Sequence, residues 1–143
     1  MSRYRLFVYG STILIALVVI LGRVPHKAGP AKLDYLRTSE TVAVFELNNR
    51  TTHTIEILGE RGSFTGVDVH RAEYSLTCKI ASKTQTEGAG FADPPSFAKI
   101  ASGERVRINV HTALIYQSKG GRCQLELPLV SGPHSVESDE FVP

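Results

Sequence analysis

One apolar and uncharged run, Leu6–Gly22, constrains this chain more than any other feature. As a helix, its 17 residues rise about 26 Å at about 1.5 Å each, close to the roughly 30 Å hydrocarbon layer of a bilayer. A cleaved signal peptide has a shorter apolar region, of about 7 to 15 residues, followed by small residues at the cleavage point. The length therefore predicts an uncleaved transmembrane helix over 6–22, while the small residues Ala28–Ala31 leave signal-peptide cleavage as the alternative.

The charges around this run are basic on both sides, so a simple positive-inside count would place the carboxyl-terminal part in the cytoplasm. That rule weakens for long translocated domains, and about 120 residues follow the run. From Thr38 onward, 10 Lys or Arg stand against 13 Asp or Glu, whereas the first 37 residues hold 6 against 1. We therefore expect a single-pass protein with a cytoplasmic amino terminus, a basic end that contacts membrane lipid, and a mildly acidic domain outside the cytoplasm.

Shifts in composition divide the chain into five parts. A short basic segment at 1–5 precedes the helix at 6–22, and a stretch with Pro, Gly and Lys at 23–39 is typical of a juxtamembrane linker. One domain is expected over 40–130, because roughly 100 residues suffice for a single hydrophobic core. The acidic segment 131–143 predicts a solvated, frayed tail, with a docking peptide as the alternative.

Within the domain, apolar residues alternate with polar ones, which is the period of a strand with one buried face. Three stretches show this clearly, at 74–80, 106–110 and 123–129, and two weaker candidates lie at 64–70 and 97–101. The alternation predicts a sheet protein whose buried side chains come from every second position of each strand.

Two further runs rich in β-branched and aliphatic residues, Thr41–Leu47 and Thr54–Leu58, flank Asn48–Arg50 and predict a hairpin with an Asn turn. Pro128 lacks an amide donor, so we expect it at an edge or near the end of its strand. About seven short strands separated by Gly, Pro and Asn turns, without an amphipathic helical period, predict an all-β antiparallel sandwich after the helix.

The two cysteines, Cys78 and Cys123, each occupy the apolar phase of a clear strand, so both side chains should point into the same interior. A disulfide between them would close a loop of about 45 residues and stabilise the domain by a few kcal/mol on the chain-entropy model. We expect this disulfide if the domain is exported. Two buried free thiols are the alternative, which a cytoplasmic domain would require.

No catalytic, cofactor or metal constellation is evident in the sequence. The five histidines are scattered, and none has a second His or Cys at the short spacings that build zinc sites. Asp68 and His70 could share one face of a strand, but such a pair is common by chance. A Cys–His nucleophile conflicts with the inward phase of both cysteines, because a thiolate needs access and electropositive surroundings. No basic patch indicates nucleic-acid binding, and no small-molecule substrate is evident.

Asn49, Arg50 and Thr51 form an Asn-x-Thr sequon in the predicted first hairpin. In an exported domain of a glycosylating host, Asn49 would be an exposed acceptor. An Asn at a turn also has a structural reason to be there.

Four segments carry a resemblance to a known family: Phe45–Thr51, Ile55–Gly59, Ile100–Glu104 and Ile108–Val110. With them, residues 40–130 resemble the bacterial immunoglobulin-like domains of uncharacterised function related to the ASPM, SPD-2 and Hydin type. The resemblance implies a seven-stranded sandwich that is extracytoplasmic and non-enzymatic. Many members carry Ser-Cys-Gly-Cys after the second strand, where this chain has Gly-Ser-Phe-Thr, so no metal or redox property of that segment carries over.

These observations together predict a membrane-anchored, extracytoplasmic immunoglobulin-like module that acts through contacts with an unidentified protein partner. Two alternatives remain open at this point. One is a small membrane-tethered redox protein or enzyme, and the other is an accessory subunit of a membrane complex that docks through its helix.

Overall fold

The computed structural model describes residues 28–62, 66–89, 95–131 and 135–143. Within them the elements are β1 (Lys32–Ser39), β2 (Val42–Asn48), β3 (Ile55–Leu58), β4 (Glu60–Arg61), β5 (Asp68–His70), β6 (Tyr74–Ile80), β7 (Lys83–Ala89), β8 (Phe97–Ile100), β9 (Arg105–His111), α1 (Ala113–Gln117), β10 (Arg122–Pro128) and β11 (Ser135–Glu137). The predicted helix at 6–22 lies outside the described residues. None of the helices inside them has the length and apolar character needed to span a bilayer.

The strands form two main sheets and a two-stranded pair. One sheet has the order β1-β2-β9-β5-β4, the other has the order β11-β10-β6-β7, and β3 pairs with β8. A bridge between Ile57 and Leu129 joins the β3–β8 pair to the residue after β10. All paired strands are antiparallel except β5 and β9, which run parallel. The all-β, multi-sheet class that the alternation predicted is confirmed.

The period-two pattern explains how these sheets share one core. On β6, β9 and β10, every second residue is apolar, and all of these except Ile80 at the end of β6 are at least 92% buried and belong to a single cluster. The cluster includes Leu76 of β6, Ile108 of β9 and Leu125 of β10, each of them fully buried. Burial of such side chains stabilises a domain by about 1.5–3 kcal/mol each. The three clear predicted strands are therefore confirmed, and Pro128 ends β10 as expected.

The predicted linker at 23–39 is wrong over its second half, because β1 is a strand of the first sheet. Leu33 is 1% exposed and pairs with Leu47 of β2. A register shift between Tyr35 and Arg37 interrupts the alternation of inward and outward side chains in this strand. The segment also carries several charged residues, so its sequence does not show the period of two that identifies a strand. The domain accordingly begins before residue 40.

The predicted frayed tail at 131–143 is also wrong within the described residues. β11 pairs with β10, and Phe141 exchanges two backbone hydrogen bonds of 2.8 Å with Cys123. The ring of Phe141 stacks on Tyr35 at 4.3 Å and meets Phe45 edge-on at 5.2 Å. This carboxyl-terminal segment therefore closes the core between β1 and β10.

The predicted hairpin between the Thr41–Leu47 and Thr54–Leu58 runs does not form. β2 pairs with β1 and β9, whereas β3 pairs with β8 in another sheet. The residues around Asn49 are therefore a crossing between sheets rather than a hairpin turn.

Two elements have no clear signal in the sequence. α1 is only five residues long, too short for a helical period, and begins where the Thr112 hydroxyl accepts a 3.0 Å hydrogen bond from the Leu114 amide. β7 buries none of its seven side chains, so no apolar alternation marks it. Its place in the sheet comes from pairing with β6 across the two-residue turn Ala81–Ser82.

Candidate functional site

The two predicted disulfide residues come together in the second sheet. Cys78 of β6 lies directly opposite Cys123 of β10, with Cα atoms 4.1 Å apart and the sulfurs joined as a disulfide. This is the short spacing of antiparallel residues that do not exchange backbone hydrogen bonds. The residues are 0% and 1% exposed, so the bond lies inside the core. The bond joins neighbouring strands of one sheet. The register that places the two cysteines opposite each other could not be derived from the alternation alone.

Asn49 is not the exposed acceptor that the sequon predicted. It is fully buried, and its Nδ2 donates to the carbonyl oxygens of His53 and Ile100 at 2.8 and 2.9 Å. Its Oδ1 accepts from the Thr51 amide at 3.1 Å and from the Thr51 hydroxyl at 2.6 Å. A glycan on Nδ2 would need space and a free hydrogen, and this nitrogen has neither in the folded domain. Asn49 instead holds the crossing between β2 and β3.

Backbone contacts of the same residue tie this crossing to the turn before β9. The Asn49 amide donates to Glu104 and its carbonyl accepts from Gly103, at 2.9 and 2.7 Å. Ser102 adds a 2.6 Å hydrogen bond from its hydroxyl to the Thr51 carbonyl. The two loops, 49–53 and 101–104, are therefore held together as one structure.

Glu104 stabilises the second of these loops through its carboxylate. One oxygen accepts from the Ala101 amide at 2.8 Å, and the other lies 2.7 Å from the Arg61 guanidinium. Burial alone would raise the pKa of Glu104, but these two partners favour the charged form and bring the pKa below its ordinary value of 4.5. The ionised carboxylate is thus the form that holds the loop.

We expect Glu104→Gln to lower the free energy of unfolding by about 1 kcal/mol at pH 7, because a charge-assisted hydrogen bond and an ion pair are lost. A group whose pKa is depressed by folding stabilises above its unfolded pKa and loses that contribution as pH falls through the folded value. Urea unfolding of both proteins should therefore show a constant gap from pH 7 to 5 that closes below about pH 4. Exposed Glu126→Gln is the control, and an unchanged gap at pH 3 contradicts this assignment.

A cavity of about 370 Å³ opens beside these loops, at the end of the first sheet. Its floor is a row across three strands: Lys32 of β1 pairs with Asn48 of β2, which pairs with Arg105 of β9. Residues directly opposite each other share one face of a sheet, and the next residue along each strand is buried. The row therefore lies on the outer face, with one cation on each side of Asn48.

Arg50 supplies a third cation to the same cavity. Its guanidinium lies 3.7 Å from the point where a side-chain carbon on Gly29 would stand, and its carbonyl accepts from the Gly29 amide at 2.9 Å. A hydrogen bond to Asp34 and the negative charges of Asp34 and Asp139 raise the pKa of Lys32, while the smaller effect of the positive charge of Arg50 opposes the rise.

The ion pairs of this region lie beside the cavity rather than in its lining. Lys32 pairs with Asp34, and Arg105 lies 3.5 Å from Glu46. Both carboxylates belong to the same outer face, one row further along β1 and β2. The described lining itself has no acidic side chain, but carboxylates next to it pair with two of its three cations, Lys32 and Arg105.

The described residues give no support to a metal centre. They contain no group of three or more His, Cys, Asp or Glu that could hold a metal ion. Asp68 and His70 both belong to β5, as the alternation suggested, and His70 is exposed.

The edge of the second sheet is the other exposed feature of note. β7 is its outermost strand and pairs only with β6 among the described residues. Ile80 and Lys83 flank a two-residue turn and so form a hydrogen-bonded pair. Alternate residues Thr84, Thr86 and Gly88 then direct their backbone groups away from β6.

No protein-family model matches the chain, and neither a curated protein nor a solved structure is significantly similar to it.

Proposed function

We propose that the chain is a membrane-anchored, non-enzymatic β-sandwich module that is displayed outside the cytoplasm and acts through contacts with a protein partner. The observation that carries the proposal is the buried disulfide between Cys78 and Cys123. Structural disulfides persist in oxidising compartments and are rare in the cytosol. The apolar run Leu6–Gly22 supplies the route across the membrane.

The strand order supports an immunoglobulin-like arrangement for this module. In immunoglobulin sandwiches one sheet holds strands A, B and E, and the other holds G, F and C, extended by C′ in the variable type. The orders β1-β2-β9 and β11-β10-β6-β7 correspond to A-B-E and G-F-C-C′. The chain departs from that arrangement in two places: β8 pairs with β3 instead of β9, and the place beside β9 is taken by β5, which runs parallel to it, with β4 beyond.

Burial of the disulfide favours a structural role over the redox alternative. Thiol–disulfide exchange requires a thiolate to reach one of the two sulfurs. Cys78 and Cys123 are 0% and 1% exposed, and the Phe141 backbone pairs with Cys123 on its other side. An external thiol would have to open the domain first.

The edge of β7 is the surface that we assign to the partner. An extended segment of another protein can add to a free sheet edge through main-chain hydrogen bonds. β7 is seven residues long, has no fully buried side chain, and is exposed over Lys83–Thr86. Its outward amides at Thr84 and Thr86 would bind the added strand without disturbing the ladder to β6.

The test places a photo-crosslinking amino acid at Gln85 of the full chain in intact cells, or in spheroplasts where an outer membrane is present. A membrane-impermeant label should reach the domain before lysis, and irradiation should give one discrete crosslinked product. We expect Thr84→Pro to reduce this product at least tenfold, because proline removes the outward amide donor and fixes the backbone φ angle at this position.

Thr84→Ala, which keeps the amide, is the matched control and should crosslink like the wild type. A label that reaches the domain only after lysis contradicts the display outside the cytoplasm. Equal crosslinking of the Pro and Ala variants contradicts the assignment of the edge.

A further inference from the structure

The basic cavity has the composition of an anion site. Its described lining holds Lys32, Arg50 and Arg105 and no carboxylate. Arg side chains bind phosphate through two parallel N–H donors, and a Lys beside them adds a point charge. Thr52 contributes an exposed hydroxyl at the rim. Lys32 and Arg105 also have carboxylate partners beside the cavity, whereas no salt bridge among the described residues involves Arg50. A cavity of about 370 Å³ has room for one phosphate group with its immediate substituents, with Arg50 as the cation that no described carboxylate pairs with.

The walls of the cavity are fixed before any ligand arrives. The loop that carries Arg50 and Thr52 follows Asn49, whose buried side chain makes four hydrogen bonds. The facing wall, Ser102 and Gly103, is bound to this loop through the Thr51 and Asn49 carbonyls. A preorganised site loses less side-chain and loop entropy on binding than a mobile one.

The position of the cavity along the chain favours one source of a phosphate group, the membrane. Ala28 lines the cavity, and the apolar run ends six residues earlier, at Gly22. Six residues span at most about 20 Å when fully extended. If the run crosses the bilayer, the cavity is held within about 20 Å of the headgroups.

We propose that this cavity binds the phosphate of an anionic lipid headgroup in the leaflet from which the domain emerges. This inference rests on the proposed membrane anchor. Such a contact would fix the amino-terminal end of the sandwich against the bilayer. The β7 edge, on the other sheet, would stay available to a partner.

The test uses the full chain in neutral detergent micelles, with bound lipid counted by native mass spectrometry. Phosphatidylglycerol should bind at least tenfold more tightly than phosphatidylcholine. The double variant Arg50→Gln/Arg105→Gln should weaken phosphatidylglycerol binding at least tenfold, because charge-assisted contacts are lost. The matched variant Lys99→Gln/Arg122→Gln removes two exposed cations from β8 and β10 and should bind like the wild type.

Unchanged lipid selectivity in the Arg50→Gln/Arg105→Gln variant would overturn the proposal, since other basic residues would then hold the lipid. Inorganic phosphate that displaces phosphatidylglycerol at equal concentration would assign the cavity to free phosphate instead. An acidic peptide that does the same would assign it to a protein ligand. Release of the chain from membranes by alkaline carbonate would refute the anchor, and with it the lipid as the source of the phosphate. The detergent assay would still report whether the cavity binds the phosphate group, because it does not depend on insertion.

Discussion

Replacement of both Cys78 and Cys123 by Ala is expected to lower the free energy of unfolding by about 4 kcal/mol. The disulfide closes a loop of 45 residues, and the chain-entropy model assigns about that much to a loop of this length. Urea unfolding of the full chain in detergent micelles, followed by near-ultraviolet circular dichroism of the tyrosines, measures the difference. A loss of this size approaches the whole stability of many domains.

Lys79→Ala is the matched control, since Lys79 lies next to Cys78 on the exposed face of β6. It should change the free energy of unfolding by less than about 0.5 kcal/mol. A loss below 1 kcal/mol in the Cys variant contradicts the stabilising role of the bond. Alkylation of both cysteines in the native membrane protein, after denaturation without reductant, contradicts the bond itself.

The cysteine result shows how far the sequence could predict this fold. Strands 74–80 and 123–129 could be located because each keeps a strict period of two, which the pleat requires of a half-buried strand. The same period placed both sulfurs in the core. Their direct pairing depends on the register between β6 and β10, and register comes from contacts distant in sequence.

Two predictions, the linker at 23–39 and the tail at 131–143, failed where local signals were ambiguous. β1 contains a register shift between Tyr35 and Arg37. After β11, the Ser138 amide and hydroxyl form hydrogen bonds with the backbone of Leu125, and Phe141 then enters the core. Each irregularity breaks the alternation that identifies a strand. The charged residues of both segments lie on outer faces, so their composition suggested a linker and a tail instead of two sheet edges.

The basic cavity could not have been found from local sequence at all. Its three cations come from positions 32, 50 and 105, which the β1-β2-β9 register and one loop bring together. Each of these residues alone has the ordinary appearance of a surface charge. The sequon at Asn49 was visible in the sequence and predicted an exposed residue. Asn49 is instead buried, and its side chain organises the loop.

Substitution of Asn49 tests this organising role most directly. Asn49→Ala should lower the free energy of unfolding by about 2–4 kcal/mol, because the Ile100 carbonyl loses this donor inside the protein and the Asn49 hydrogen bonds to His53 and Thr51 are lost as well. Asn49→Asp should cost at least as much, since it has nearly the same shape but places an acceptor against the carbonyls of His53 and Ile100. Urea unfolding measures both variants.

Asn48 offers a matched control, because it is the neighbouring residue and lies in the cavity between Lys32 and Arg105. Asn48→Asp adds the same charge beside two cations and should leave the free energy of unfolding within about 0.5 kcal/mol of the wild type. If Asn49 orders the walls of the cavity, Asn49→Ala should also weaken phosphatidylglycerol binding at temperatures where the domain is still folded. Equal stability of the Asn48→Asp and Asn49→Asp variants would show that the buried amide does not hold the crossing. The cavity would then have no fixed wall on which a phosphate site could depend.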